Sequence, residues 1–206
     1  MGIKNFLFQR WRSHVDWKFD RQFAVDTSGT FEVSNAPADA IPYAGTPPYR
    51  FYSIMSKLSF EPRELTFVDF GCGKGRVLLM ASQFGFKRVI GIEHSPELSD
   101  IAKSNVAIYQ RARGRPSDIR VNCENAADFR IPPGKTLLYF YNPFMGNVMG
   151  AVLANIQQAL KETFREITIV YYNPVYGHLF DAADFLDCVK KGRQYSVYRS
   201  ITKPRD

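Results

Sequence analysis

Histidine and cysteine are scarce in this chain, with three residues of each among 206. Cys72, Cys123 and Cys188 are odd in number and widely spaced, a pattern that predicts unpaired thiols in a reducing compartment and not a disulfide framework. No Cys-x-x-Cys pair occurs and the histidines stand apart from one another, which argues against a zinc site. We therefore expect no metal cofactor.

Long apolar runs are also lacking. No uninterrupted stretch approaches the ~20 residues of a membrane span, and Arg10 and Arg12 interrupt any apolar core of a signal peptide. Hydrophobic residues nevertheless make up 45% of the chain and aromatic residues 15%, which is enough for a sizeable core. Because compact domains run to about 100–200 residues, the sequence predicts one ordinary domain in the cytoplasm.

Positive charge exceeds negative charge, but unevenly along the chain. The 27 basic and 20 acidic residues give a formal net charge of +7. Residues 181–206 contribute +2 of this excess, and residues 101–120 contribute +4. The distribution excludes a uniformly basic, histone-like protein and leaves nucleic acid or another anionic surface open as a partner. The basic side chains of the 101–120 cluster, opposed by Asp118 alone, are Lys103, Arg111, Arg113, Arg115 and Arg120.

The first 64 residues differ in pattern from the rest. Apolar residues from Ile3 to Val15 recur at helical spacing and predict an amphipathic helix that packs on the domain or meets a partner. Residues 26–50 are rich in proline, glycine and serine and predict a long covering loop, and residues 50–58 predict a helix that Pro62 ends. We expect a cover over 1–64 that packs on a catalytic unit over 65–206.

From residue 65 onward, strand-forming runs alternate with helical runs. The predicted strands span 66–70, 88–93, 119–123, 136–141 and 167–172, and the predicted helices span 77–84, 96–112 and 148–162. Continuously apolar strands separated by helices predict an α/β fold, a three-layer Rossmann-like sandwich around a mostly parallel sheet. Residues 188–191 and 195–201 predict a terminal hairpin that adds an antiparallel edge.

Three alternating glycines follow the first predicted strand, in the run Asp69-Phe70-Gly71-Cys72-Gly73-Lys74-Gly75. Glycines let the backbone turn tightly against a ligand, and the next helix offers free N–H groups to an anionic group. Dinucleotide-binding folds space their glycines as G-x-G-x-x-G, whereas here the third glycine comes one residue earlier. This pattern resembles the first motif of class I S-adenosylmethionine-dependent methyltransferases. The resemblance implies S-adenosylmethionine as cofactor, bound at Asp69, Gly71, Gly73 and Gly75.

Two further strand ends extend the resemblance. Glu93 ends the second predicted strand, where a carboxylate can accept both hydrogen bonds of a ribose diol. After the third strand, Asn125 and Ala126 stand where the family carries Asp-Ala beside the adenine. Asparagine can still accept from the adenine amino group, but the departure leaves open whether Asn125 or Asp128 does so.

The fourth strand ends in Tyr141-Asn142-Pro143-Phe144, which is similar to the (Asn/Asp)-Pro-Pro-(Tyr/Phe) motif of methyltransferases that modify amino or amide nitrogen, without its second proline. The resemblance implies that Asn142 orients the acceptor nitrogen, next to Tyr141 and Phe144. Tyr172 and Tyr176 are further candidates for an aromatic pocket that would hold the sulfonium and the acceptor. Asn-Pro recurs at Asn173, at the end of the fifth strand, and parallel strands bind ligands at these ends.

A looser resemblance, to non-SET protein-lysine methyltransferases, rests on the run Tyr43-Ala44-Gly45-Thr46-Pro47 and on the order of the motifs. It implies a protein lysine as acceptor. Tyr43 and Thr46 of the covering loop are further candidates for cofactor binding, and we expect Tyr43 or Tyr49 to close the site. Small-molecule and RNA methyltransferases remain alternatives, as do a nicotinamide-dependent oxidoreductase and a cofactor-binding module without activity. The basic cluster is predicted at the amino ends of the strands, opposite the cofactor, which argues against nucleic acid as acceptor but allows a polyanion or acidic partner to dock there.

Overall fold

The computed structural model describes residues 17–31, 43–114 and 117–201. Its first elements are a helix over 17–23 (α1) and two short antiparallel strands, β1 (Thr30–Phe31) and β2 (Tyr43–Ala44). The amphipathic helix predicted between Ile3 and Val15 lies outside the described residues. So do residues 32–42 of the predicted covering loop, and Arg115 of the basic cluster.

A seven-stranded sheet forms the centre of the molecule, in the order β5-β4-β3-β6-β7-β9-β8. The five strands from β5 to β7 are parallel, and β9 pairs antiparallel with both β7 and β8. This confirms the predicted fold class, including its antiparallel edge. The strands are β3 (Thr66–Phe70), β4 (Arg88–Glu93), β5 (Ile119–Cys123), β6 (Thr136–Tyr141), β7 (Ile167–Tyr172), β8 (Leu186–Lys190) and β9 (Tyr195–Ser200).

Among the described residues, five α-helices follow α1, namely α2 (Pro48–Met55), α3 (Arg76–Ser82), α4 (Pro96–Arg113), α5 (Gly146–Glu162) and α6 (Gly177–Asp181). The predicted helix over 50–58 is displaced, because Pro48 occupies the first turn, where its missing N–H is not needed. The helix α6 is not among the predicted elements, because its five residues are too few to show a helical period. No helix among the described residues is long and apolar enough to cross a bilayer.

Side chains alternate between the two faces of the sheet, and each face is covered by helices. On one face Phe67 and Tyr139 pack with Phe51 of α2. Leu78 of α3 and Phe23 of α1 belong to the same cluster. On the other face, α5 contributes Met149, Val152 and Ile156 to a cluster with buried side chains of the strands, namely Val68, Phe70, Leu138, Phe140 and Ile169. The molecule therefore has the three layers that the sequence predicts.

The parallel strands end together at one edge of the sheet, which we call the carboxyl edge. The two strand ends that carry Tyr141 and Tyr172 are paired there. Tyr195, at the start of β9, lies opposite Tyr172, so the turn between β8 and β9 reaches this same edge. Arg111 and Arg113 end α4 and Arg120 lies near the start of β5, so these members of the basic cluster are at the opposite edge.

Candidate functional site

The turn after β3 requires glycine for two reasons, its backbone conformation and the lack of room for a side chain. Gly71, Gly73 and Gly75 have φ values of 73°, 53° and 82°, in the left-handed region that favours glycine. A β-carbon at Gly73 would lie 2.2 Å from the Tyr43 ring, and one at Gly71 would lie 2.4 Å from Cβ of Pro143. The turn is thus enclosed between the segment that precedes the sheet and the Asn-Pro turn after β6.

Tyr43 and Thr46, the two residues predicted on this preceding segment, both lie beside the glycine turn. The Tyr43 ring covers Gly73, and its hydroxyl donates to the Thr27 carbonyl oxygen at 2.8 Å. Thr46 is buried, and its carbonyl oxygen lies 3.5 Å from Nη1 of Arg76. Tyr49 lies at the start of α2 and is half-buried.

Arg76 is a site residue that the sequence motifs did not predict; it is the first residue of α3 and is 1% exposed. Its guanidinium donates to Thr27 twice, from Nε to Oγ1 at 2.8 Å and from Nη2 to the carbonyl oxygen at 2.7 Å. Lys74, also buried, forms an ion pair with Asp26 at 3.0 Å. Two cations of the glycine turn and its helix therefore hold residues 26–28 against it. The sequence signal that could have predicted this contact is the pair of basic residues, Lys74 and Arg76, on either side of Gly75.

Two buried carboxylates lie side by side below the turn. Asp69 is 3% exposed and Glu93 is 7% exposed. Glu93 accepts from the backbone N–H of Gly73 and of Ser95, each at 2.9 Å. Burial, and then the charge of Glu93, raise the pKa of Asp69 well above its usual value.

No cation or hydrogen-bond donor of the described chain pairs with the Asp69 carboxylate. Buried carboxylates are stabilised by a positive charge, and without one they hold their protons more tightly. A ligand that brings positive charge to this end of β3 would meet the requirement. The pair therefore suits a ligand with a cationic group and hydroxyl donors.

Asn142 and Asn173 end the neighbouring strands β6 and β7 in the same unusual conformation. Their φ values are 41° and 53°, and they are two of the three non-glycine residues with positive φ among those described. Asparagine tolerates this region better than most residues, but at some cost in energy, and such strain concentrates at functional sites. The Tyr171 hydroxyl donates to Oδ1 of Asn142 at 3.4 Å, which orients the carboxamide.

The predicted aromatic residues divide between the two faces of the sheet. Tyr141 and Tyr172 lie together, with ring centroids 4.7 Å apart, and pack against the cluster on the α2 side. Phe144 and Tyr176 pack against the cluster on the α5 side, where Phe144 contacts Phe140 edge-on. The structure therefore pairs two of the four rings directly with each other, and the other two flank the Asn-Pro turns.

The loop after β5 lies next to Glu93, since the Glu124 N–H donates to the Glu93 carbonyl oxygen at 3.1 Å. The Asn125 side chain accepts from the Ala127 N–H at 2.9 Å and caps the short 3-10 helix Ala126–Asp128. Ala126 is buried, whereas Asn125 and Asp128 are exposed. The choice between these two residues at the adenine stays a prediction.

Comparisons with known proteins agree on a methyltransferase fold. At TM-score 0.60, the structure is similar to a predicted N6-adenine-specific DNA methylase from Listeria monocytogenes, which is 12% identical; the match covers 90% of this chain and 55% of that one. It is also similar to the putative methyltransferase yhhF from Escherichia coli, which is 17% identical, with a TM-score of 0.56 and coverage of 82% and 90%. The ribosomal protein L11 methylase from Lactobacillus delbrueckii is 17% identical, with a TM-score of 0.50 and coverage of 74% and 78%.

No curated protein sequence matches the chain. A family model described as a methyltransferase domain matches residues 44–192, which is more than half of the chain and includes every strand of the sheet except β9. The glycine turn, the acidic end of β4 and the order of the parallel strands all lie within this match. The chain therefore belongs to the methyltransferase-domain family, as a class I, Rossmann-like, S-adenosylmethionine-dependent methyltransferase.

Proposed function

We propose that the protein transfers the methyl group of S-adenosylmethionine to an amine or amide nitrogen held at Asn142. One observation carries the proposal: the Asn142-Pro143 turn packs directly on the glycine turn, with Pro143 against Gly71. A cofactor held by the glycine turn and an acceptor held by the Asn142 carboxamide would therefore be neighbours. Direct transfer needs the two reacting atoms about 3 Å apart and in line.

The residues around the turn fit the cofactor in charge and in hydrogen bonding. Asp69 would face the positive charge of the methionine portion. No cation among the described residues pairs with this carboxylate, so the cofactor would supply the missing positive charge. Glu93 would accept from the ribose hydroxyls with the carboxylate that now accepts from Gly73 and Ser95. Asn125 or Asp128, with Ala126, would contact the adenine. When bound, S-adenosylmethionine supplies an electrophilic methyl group.

The acceptor nitrogen must present a lone pair to that methyl group. Oδ1 of Asn142 would accept a hydrogen bond from the nitrogen and orient it, while Tyr171 holds the carboxamide. The half-buried rings of Tyr141 and Tyr172 form an apolar wall at the same strand ends. Removal from water favours the neutral form of an amine, so this wall would help an ammonium group to lose its proton before transfer.

The segment before the sheet is proposed as a cover for the cofactor. Tyr43 lies on Gly73, and Thr27, Thr46 and Arg76 hold the segment in place. This supports the predicted division into a cover over 1–64 and a catalytic unit over 65–206. We also propose that the protein acts in the cytoplasm, as the sequence predicts.

The acceptor has three candidate classes. The looser resemblance to protein-lysine methyltransferases favours a protein lysine, and the alternatives are a small-molecule amine and RNA. All three present an amine or amide nitrogen, so the role proposed for Asn142 is the same in each. What differs is the surface that the acceptor meets around Asn142.

Calorimetric titration tests the cofactor half of the proposal. The protein is titrated with S-adenosylmethionine and with NAD, and we expect binding of the first and none of the second. Glu93→Ala should weaken S-adenosylmethionine binding at least tenfold, because the ribose loses both acceptors. Glu124→Ala, on the adjacent loop, is the matched control and should bind within twofold of the wild type. Binding of NAD in place of S-adenosylmethionine would overturn the proposal.

A further inference from the structure

The turn between β8 and β9 brings positive charge to the carboxyl edge. It contains Lys190, Lys191 and Arg193, all exposed. Because β9 runs antiparallel to β7, with Tyr195 opposite Tyr172, this turn lies beside the ends of β6 and β7. These three residues are distinct from the larger basic cluster, whose members Arg111, Arg113 and Arg120 lie at the opposite edge.

Contacts of the described residues connect this turn to Asn173 and to α2. The Asn173 N–H donates to the Gln194 carbonyl oxygen at 2.8 Å, and Nη1 of Arg50 donates to Oε1 of Gln194 at 2.7 Å. Nε of Arg50 donates to the Tyr49 hydroxyl at 3.0 Å. A continuous surface therefore runs from the Asn-Pro turns across the hairpin to the start of α2.

Tyrosines and cations alternate on this surface. The Arg50 guanidinium lies 4.9 Å from the centroid of the Tyr49 ring, and the Lys190 ammonium lies 4.6 Å from that of Tyr195. All four tyrosines of this surface are half-buried, so each keeps part of its side chain accessible. We call it the tyrosine–cation surface, and its residues are Tyr49, Arg50, Tyr141, Tyr172, Lys190, Arg193 and Tyr195.

The positive charge of this surface is not neutralised within the described part of the chain. Asp181 lies beside the hairpin, but it forms an ion pair with Lys191. Arg50 and Lys190 donate to neutral oxygens, those of Gln194, Tyr49 and Tyr195. The three cations of the surface therefore remain available to an anionic partner.

We propose that the tyrosine–cation surface binds single-stranded nucleic acid and that the acceptor is the exocyclic amino group of an unpaired base. This rests on the proposed function. Phosphates pair with arginine and lysine, and unpaired bases stack on aromatic rings, so a single strand uses both kinds of side chain. An acidic peptide would use the cations but has no nucleobases to stack on the four rings. The exocyclic amino group of a base is also flat, which suits the carboxamide of Asn142 and the paired rings beside it.

Fluorescence anisotropy with labelled 15-nucleotide strands, one of RNA and one of DNA with the same sequence, tests the surface. The acceptor-edge variant combines Arg50→Gln, Lys190→Gln and Arg193→Gln. The matched control makes the same change of charge at the opposite edge, with Arg111→Gln, Arg113→Gln and Arg120→Gln. We expect the wild type to bind at least one of the two strands, the acceptor-edge variant to bind it at least tenfold more weakly, and the control to bind within twofold.

Salt dependence and ring substitutions separate stacking from charge. For single strands the slope of log K against log salt changes by about 0.7 for each phosphate contact, so the acceptor-edge variant should lose about 2 from the slope. Tyr49→Leu and Tyr195→Leu should weaken binding about fivefold with the slope unchanged. A stronger loss in the opposite-edge control, an unchanged affinity in the tyrosine variants, or binding of a poly-glutamate peptide in place of both strands would overturn the proposal.

Titration of the same variants with S-adenosylmethionine keeps the two proposals distinguishable. The acceptor-edge variant should bind the cofactor as the wild type does, since none of its three residues contacts the glycine turn. Intact cofactor binding with no binding of either strand by the wild type overturns the inference and leaves the proposed function standing. If the wild type does not bind S-adenosylmethionine, the proposed function itself is overturned.

Discussion

Arg76 holds Thr27 at two points, through Nε to Oγ1 at 2.8 Å and through Nη2 to the carbonyl oxygen at 2.7 Å. The same carbonyl oxygen accepts from the Tyr43 hydroxyl, whose ring lies on Gly73. Residues far apart in the chain are thereby joined at the turn that would hold the cofactor. The buried guanidinium of Arg76 therefore holds the cover against the glycine turn, together with the Lys74–Asp26 ion pair.

Substituting Arg76 by Met should therefore destabilise the protein and weaken S-adenosylmethionine binding together. The change removes both guanidinium hydrogen bonds to buried Thr27, whose carbonyl oxygen then keeps the Tyr43 hydroxyl as donor, at a cost of about 3 kcal/mol in the free energy of unfolding. Urea denaturation measures this cost. Arg111→Met, on the exposed end of α4, should change stability by less than about 0.5 kcal/mol. Equal losses of unfolding free energy in the two variants would show that the hydrogen bonds around Thr27 do not stabilise the fold.

Asp69→Asn should stabilise the protein without cofactor and weaken cofactor binding. The pKa of Asp69 is raised in the folded protein, so its contribution to stability is full at low pH and is lost as pH rises through the raised pKa. Asparagine does not titrate, so the stability gap between variant and wild type should widen toward alkaline pH and reach about 1–2 kcal/mol. Urea denaturation at pH 5 and pH 8 checks the sign.

The matching cofactor measurement uses the same two proteins. S-adenosylmethionine should bind Asp69→Asn at least tenfold more weakly, since the variant lacks the charge that faces the cationic methionine portion. A variant that is less stable than the wild type at pH 8, or that binds the cofactor equally well, contradicts the role given to this carboxylate.

Gly73→Ala should disrupt the cover, because the new methyl group meets the Tyr43 ring and the backbone is left-handed. We expect a loss of about 2–4 kcal/mol in the free energy of unfolding. Gly134→Ala is the control, since its φ is also positive at 85° and nothing lies within 4 Å of a β-carbon there; it should cost about 1 kcal/mol.

A double variant isolates the contact itself. Tyr43→Ala removes the ring that the methyl group introduced by Gly73→Ala would meet. In the Tyr43→Ala background, Gly73→Ala should therefore cost less free energy of unfolding than it costs in the wild type. Additive losses would mean that Gly73 is needed for its backbone conformation and not for the approach of Tyr43.

The catalytic sheet could be predicted from sequence almost to the residue. Five predicted strands have the observed bounds, because each is a short run rich in apolar residues that is bounded by turn residues such as Gly71 or Asn142. The helix α6 has no such signal, since five residues after Pro174 are too few to show a period. The displacement of α2 reflects Pro48 in its first turn.

The contacts that complete the site depend on tertiary structure and could not be predicted from the sequence pattern. Arg76 and Thr27 are separated by 49 residues, and no local rule pairs them. The position of Lys190 and Arg193 follows from the insertion of β9 between β7 and β8, an order that a predicted hairpin leaves open. The motif residues of the turn and strand ends could be named, but their partners could not.

Methyl transfer at Asn142 is tested most directly by following a tritiated methyl group from added S-adenosylmethionine into a cell extract depleted of its own S-adenosylmethionine. Wild-type protein, Asn142→Ala and the matched control Asn173→Ala are compared, and the labelled product is hydrolysed and its methylated atom identified by chromatography. We expect label on nitrogen with the wild type and with Asn173→Ala, and at least a hundredfold slower transfer with Asn142→Ala. Nuclease and protease digestion then assign the label to nucleic acid or protein. Label on oxygen or carbon, or equal rates for the Asn142→Ala and Asn173→Ala variants, would contradict the account.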